Sequence, residues 1–267
     1  MREKHKVFVR LAGGLGNQIF QMAFAVHLAS RANAHLVYST AGLGTYESVH
    51  DYVLDGVLDM SSYVTSAWYS KYIVPLRMPR LLPLCSPYLT LASDRNMVSV
   101  MKRRPSRVQV LDGYFQEVPL ELLRALPLLP AFRVLEPEMA DTDLVIHVRG
   151  GDFVRLGYTD NRIDKFYAAA LARIGKHGGI QKPVIVTDDA EFVAGLPSLR
   201  GIDIRSEGTI RDFARICFAQ NRIFGSSTFA LSAAAIGQTR GINVSTGTWL
   251  KGEPRAIFLE NESAIRL

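Results

Sequence analysis

The chain has 267 residues, 48% of them hydrophobic, and a formal net charge of +6, with an isoelectric point near 9.4. That is enough apolar material for one large domain or for two of roughly 100 to 150 residues each, and it excludes a disordered chain. The positive balance favours anionic partners: nucleotides, nucleic acid or acidic lipid surfaces.

The amino terminus, Met1 to Lys6, is charged and leads straight into a strand, without the pattern of a signal peptide. The strand predicted over 7–11 runs into Gly13, Gly14, Leu15 and Gly16, then into Asn17, Gln18 and an apolar helix predicted over 17–31. This turn is not the dinucleotide fingerprint, because a G-x-G-x-x-G starting at Gly14 would need glycine where Ile19 stands, which disfavours a nicotinamide enzyme. The glycines serve either a tight turn with positive φ or an anion at a helix start, and Asn17 and Gln18 either cap the helix or face a ligand. A strand is predicted over 36–38. Residues 46–105 read as irregular, rich in Pro, Tyr and Ser, with short helices expected. Within them 72–91 is the most apolar long stretch, but Arg77, Arg80 and four prolines deny it a membrane span. The basic run at 102–107 has no interleaved aromatic residues and reads as a solvated loop rather than a nucleic-acid patch. After a strand over 108–111, the segment 126–138 carries Pro127, Pro130 and Pro137 and is the candidate linker between two lobes.

In the second half, strands over 144–148, 184–187, 202–204, 223–225 and 242–244 alternate with helices over 164–174, 210–219 and 228–237. This alternation argues for parallel sheets. Residues 144–152 form the most informative stretch: a buried strand that ends in His147, Arg149, Gly150, Gly151 and Asp152, at the sheet edge where open parallel sheets bind ligands. Arg149 offers a bidentate clamp for a diphosphate, or else a salt bridge to Asp152 or Asp188. Asp152 reads as a cap or as a general base, and His147 as a structural residue or a contact to a base. Thr187, Asp188 and Asp189 end another strand. Metal binding there is disfavoured, because adjacent aspartates point different ways and no D-x-D follows a strand. Asp212 opens a helix and is by default a dipole or cap residue. The junction 221–229 places Ser226, Ser227 and Thr228 at a helix start, an anion cradle. Three such junctions in one chain imply a cleft shared by two lobes. Cys85 and Cys217 have neither metal nor redox spacing and are expected as buried, reduced thiols.

Taken together, Gly13 to Gln21, Gly113 to Gln116, His147 to Asp152, Thr187 to Asp189, and Asp212 followed by Ser226 to Phe229 resemble the bacterial α-1,2-fucosyltransferases. That inverting family transfers fucose from GDP-fucose to galactose, within the wider superfamily of α-1,6- and protein O-fucosyltransferases. The resemblance implies an α/β, GT-B-like architecture of two Rossmann-like lobes with parallel sheets facing across a cleft, an acceptor lobe over 1–135 and a donor lobe over 136–267. It implies that Arg149 holds the diphosphate and that Ser226, Ser227 and Thr228 bind phosphates. His147 and Asp212 would meet guanine, while Gly14, Gly16 and Asn17 would close on the donor from the other lobe.

Arg149 and a helix amino terminus can neutralise the departing GDP without a metal, so no metal and no cofactor are expected beyond GDP-fucose as donor substrate. Asp152 and Asp188 are the candidate bases, and the leaving diphosphate could itself take the proton. Two departures from the family pattern stand out. Gly150 replaces the second arginine of H-x-R-R-G-D, which weakens the donor site or hands the charge to a neighbour such as Arg155, and Ala230 to Ala234 replace a Trp-rich stretch. The expected partners are a GDP-sugar and a glycan acceptor, lipid-linked if surface polysaccharide is assembled at the inner face of the membrane, with the protein cytoplasmic or peripheral there. Nucleic acid is not expected. The alternatives are a transferase of another GDP-sugar and a non-catalytic nucleotide- or glycan-binding relative.

Overall fold

The structure is a computed structural model and describes residues 5–41, 43–44, 50–65, 87–139, 141–158, 162–178, 182–237, 241–249 and 252–266. Cys85, in the irregular middle, lies outside the described residues. The chain divides into two compact units, Met1–Leu129 and Pro130–Leu267.

Unit 1 is built on a five-stranded parallel sheet. Its elements are β1 (Lys6–Arg10), α1 (Leu15–Ala32), β2 (His35–Ser39), β3 (Val64–Thr65), β4 (Leu89–Ala92), α2 (Met97–Lys102), β5 (Val108–Leu111) and α3 (Leu120–Arg124), with strand order β3-β2-β1-β5-β4. The first helix is apolar on most of its circumference, and Ile19, Phe20, Met22, Phe24 and Leu28 are all buried. It stops at Asn33, whose left-handed backbone (φ 46°, ψ 50°) lets its N–H return to the carbonyls of Ala29 and Ser30. The strands β3 and β4 come from the segment read as irregular. Each is short, and each is recruited by a neighbour, β3 by β2 and β4 by β5.

Unit 2 opens with two short helices, α4 (Pro130–Arg133) and α5 (Glu136–Met139), where a linker was expected. The prolines do not prevent them. Pro130 and Pro137 sit in first turns, where the missing N–H would have no intrahelical partner. Buried Phe132 then ties this segment to unit 2 through the rings of Phe213 and Phe218, at 6.0 and 5.5 Å. The expected boundary at 135/136 therefore falls inside unit 2.

The remaining elements are β6 (Leu144–Val148), α6 (Gly151–Arg155), α7 (Ile163–Gly175), β7 (Pro183–Thr187), α8 (Ala190–Ala194), β8 (Asp203–Ile204), α9 (Thr209–Phe218), β9 (Asn221–Phe224), α10 (Thr228–Ile236), β10 (Asn243–Ser245) and β11 (Glu262–Ala264). The six parallel strands run β11-β10-β9-β6-β7-β8. Central β6 is buried along its whole length, as a strand covered on both faces must be. Leu144, Ile146 and Val148 join Phe166, Tyr167, Ala170 and Ile174 of α7 in one core. On the other face His147 lies against Phe229 of α10, with ring centroids 5.7 Å apart. The strand order reverses between β6 and β9, which makes their carboxyl ends a topological switch point.

Candidate functional site

In unit 1 the β1–α1 turn is fixed from within. Gly13 has φ +76°, and a Cβ there would approach Asn17 Nδ2 to 2.5 Å, so only glycine fits. Fully buried Gln18 donates from Nε2 to the carbonyls of Gly13 and Asp51, both at 2.9 Å. Gln21, also buried, accepts from the Ala12 N–H at 3.0 Å and donates to the Gly113 carbonyl at 2.9 Å. Neither glutamine is a cap. They satisfy loop backbone that the sheet leaves unpaired; Gln18 ties the loop after β1 to the segment between β2 and β3, and Gln21 ties it to the loop after β5. Gly14 is the N-cap of α1, Gly16 is buried in its first turn, and Asn17 Oδ1 accepts from Gln116 Nε2 at 2.9 Å.

In unit 2 the chain leaving β6 is organised around Arg149. Its two terminal nitrogens meet Asp152 Oδ1 and Asp188 Oδ2, each at 2.6 Å, and its guanidinium lies over the Phe153 ring at 5.3 Å. Both salt bridges considered from the sequence are thus formed. The second oxygen of Asp188 accepts the Gly150 N–H at 2.8 Å, and Asp189 accepts the Gly151 N–H at 3.0 Å. Asp189 also caps α8 through the Phe192 N–H at 2.9 Å. These amides, Phe192 first and Gly151 next, hold its carboxyl below the usual aspartate range. The adjacent aspartates therefore serve the turn at 150–151. Among the described residues no group of three or more His, Cys, Asp or Glu side chains is placed to hold a metal ion.

The same turn restricts what can stand at position 150. A Cβ on Gly150 would lie 2.4 Å from the Cβ of Asp189. No side chain fits there.

His147 is 5% exposed, and burial, reinforced by the Arg149 charge, pushes its pKa down to about 3. It is a neutral imidazole behind Phe229, and its Nδ1 has no hydrogen-bond partner among the described residues. Asp212 sits in the first turn of α9 and accepts the Glu207 N–H at 2.7 Å; burial raises its pKa. After β9, Ser227 caps α10 by accepting from the Ala230 N–H at 3.3 Å, and Thr228 is the first helical residue. Ser226 instead joins a hydroxyl cluster with Thr248 at 2.9 Å and Thr246 at 3.4 Å.

A cavity of about 600 Å³ opens at the switch point, bounded by Arg149 after β6, Gly225 and Ser226 after β9, and Thr246 and Thr248 after β10. Phe153, Tyr158 and Tyr167 supply aromatic wall, and two more arginines, Arg162 and Arg266, also belong to the lining. No carboxylate lines it among the described residues. Of the residues singled out from the sequence, Arg149 and Ser226 meet here, while His147, Asp152, Asp188, Asp212, Ser227 and Thr228 lie outside the lining. Exposed Arg155, expected as a substitute cation, lies outside it as well, because its position in the last turn of α6 turns it to solvent. Thr246, Thr248, Arg162 and Arg266 were not read from the sequence. The only signal for the two threonines was their place directly after a predicted strand.

No family model matches this chain, and no curated protein matches its sequence. Solved structures do match. The fucosyltransferase NodZ from Bradyrhizobium is 13% identical, with 86% of this chain and 92% of that one covered at a TM-score of 0.55. POFUT1 in complex with GDP is 11% identical over 91% of this chain and 98% of that one, with a TM-score of 0.58. A point mutant of Arabidopsis thaliana FUT1 in complex with GDP is 10% identical over 90% of this chain and 70% of that one, with a TM-score of 0.56. At such identities the likeness is one of fold: two units, each built on a parallel sheet with helices, form the GT-B-like α/β fold of these fucosyltransferases.

Proposed function

We propose that this protein is an inverting glycosyltransferase that moves L-fucose from GDP-fucose to a galactose-containing acceptor in α-1,2 linkage, without a metal ion, in surface-polysaccharide assembly. The observation that carries the reading is the cavity at the switch point of unit 2, which among the described residues presents three arginines and a hydroxyl cluster and no carboxylate. A binding space with that lining suits a diphosphate. The fold shared with fucosyltransferases supports fucose as the transferred sugar, and the motif resemblance supports the α-1,2 linkage and the galactose acceptor.

In the reaction the acceptor hydroxyl oxygen bonds to the fucose anomeric carbon as the bond from that carbon to the β-phosphate oxygen breaks, and GDP departs with the electron pair. Arg149 meets the charge that develops on the leaving oxygens, and the amino end of α10, just after lining residue Ser226, adds partial positive charge. The hydroxyl proton goes to Asp152, to Asp188 or to the leaving diphosphate itself. Asp152 is the better placed of the two carboxylates, since Asp188 has both oxygens committed to Arg149 and the Gly150 N–H, whereas Asp152 holds Arg149 through one. Unit 1 is assigned the acceptor. Among the described residues no helix is long and apolar enough to cross a membrane, and a lipid-linked acceptor would be met by peripheral association at the inner face.

The test is a panel of GDP-sugars incubated with the protein, following GDP release with and without simple galactosides. Galactoside-dependent release from GDP-fucose is expected. Turnover of another GDP-sugar instead would reassign the donor, and nucleotide binding without turnover of any would make the chain a non-catalytic relative.

A further inference from the structure

We propose that Arg162 and Arg266 supply the further positive charge for the donor diphosphate, and that Ile265 and Arg266, which follow β11, are therefore part of the donor site. This rests on the GDP-sugar reading above.

Arg149 cannot hold a diphosphate alone. Its two terminal nitrogens already donate to Asp152 and Asp188 at 2.6 Å, so part of its donor capacity is committed before a diphosphate arrives. Position 150 cannot supply a further cation, because Asp189 occupies the space a side chain would need. The cavity lining nevertheless contains two additional guanidinium groups from distant parts of the chain. Arg162 is the residue before the first turn of α7, whose amino end adds partial positive charge.

Arg266 follows β11 and is exposed, and the residue before it is anchored. The Ile265 N–H donates to the Ser245 carbonyl at 2.8 Å, extending the β10–β11 pairing to the cavity wall, where Ile265 itself is a lining residue. The connection between those strands is locked by a buried pair of Arg255 and Glu262, 3% and 0% exposed. Arg255 also donates to Ser245 Oγ at 2.9 Å and lies over the rings of Phe224, Trp249 and Phe258 at 5.8, 5.7 and 4.9 Å. The backbone leading to Arg266 is thus anchored at Glu262 and Ile265, which lowers the ordering cost of bringing its side chain to a phosphate.

Calorimetric binding of GDP and GMP to the full chain tests this. Arg162→Gln and Arg266→Gln should each weaken GDP by about fivefold, and the double variant by about twentyfold or more, since exposed charge-assisted contacts fall between surface and buried pairs in strength. GMP should weaken by less than about threefold, because it lacks the second phosphate that these groups are assigned. The lysine variants should recover part of the loss, which a purely structural role would not predict, and Arg155→Gln should bind GDP as the wild type does. Wild-type GDP affinity in the double variant, or equal losses for GDP and GMP, would overturn the proposal while leaving the GDP-sugar reading standing. A wild-type protein that binds no GDP would overturn both.

Discussion

Replacing Gly150 by alanine should destabilise the protein, and the reason lies in Asp189. The added Cβ would stand 2.4 Å from the Asp189 Cβ and 3.0 Å from its Cγ and Oδ2, whereas carbon atoms in contact prefer about 3.5 to 4.0 Å. Asp189 would have to retreat by more than about 1 Å, and it is held on every side. Its N–H donates to Thr187 Oγ1 at 3.0 Å and its carbonyl accepts from the same hydroxyl at 3.2 Å. Its carboxylate takes the N–H groups of Gly151 and Phe192. The overlap therefore cannot relax cheaply, and a cost toward the upper end of about 1 to 3 kcal/mol is expected. Chemical denaturation should show a lower midpoint with an unchanged m-value.

Asp189→Gly clears the space, so the double variant Gly150→Ala/Asp189→Gly should lose less than the sum of the two single changes. Gly150→Arg, which restores the arginine pair of the family pattern, should be at least as destabilised as Gly150→Ala and bind GDP no more tightly than the wild type. A Gly150→Arg protein with a wild-type midpoint and tighter GDP binding would refute the steric argument.

Arg149→Lys should lower turnover by roughly 100-fold or more, since an ammonium cannot reproduce a fork between two acceptors; near wild-type steady-state rates would remove Arg149 from the mechanism. Chelation with EDTA should leave turnover intact, and loss of activity restored by Mn²⁺ or Mg²⁺ would defeat the metal-free reading. His147 has a folded pKa of about 3 against an ordinary 6.5, so the unfolded chain binds more protons between those values. Its contribution to stability is full above about pH 6.5 and is lost as pH falls toward about 3. In His147→Leu the denaturation midpoint should therefore drop less on going from about pH 7 to about pH 4 than in the wild type, and equal drops would show that His147 carries no such linkage. Gln21→Leu leaves the Ala12 N–H and the Gly113 carbonyl without their partner and should cost about 1 to 3 kcal/mol; an unchanged thermal midpoint would mean that those groups find substitutes.

What the sequence determined by itself is local in origin. Apolar β-branched runs at 144–148 and 184–187 make strands wherever they are buried, and the apolar stretch after Gly16 makes a helix. A glycine turn or a serine followed by a helical pattern marks the junctions at Gly13 and Ser227, because these conformations are set within a few residues. The alternation of such units was enough to infer parallel sheets. The edge strands β3, β4 and β11 escaped the sequence because Val64–Thr65, Leu89–Ala92 and Glu262–Ala264 become strands only through pairing with β2, β5 and β10.

The chemistry at the carboxyl edge was decided by tertiary structure. That Arg149 would be shared between Asp152 and Asp188, that Asp189 would fill the space beside Gly150, and that Arg162, Thr246, Thr248 and Arg266 would line one cavity all depend on segments brought together by the strand order. A side chain's residue type fixes what it can bind, but its partners are fixed by which strand ends the sheet sets side by side. The reversal of strand order between β6 and β9 is a property of the whole sheet and of no segment within it.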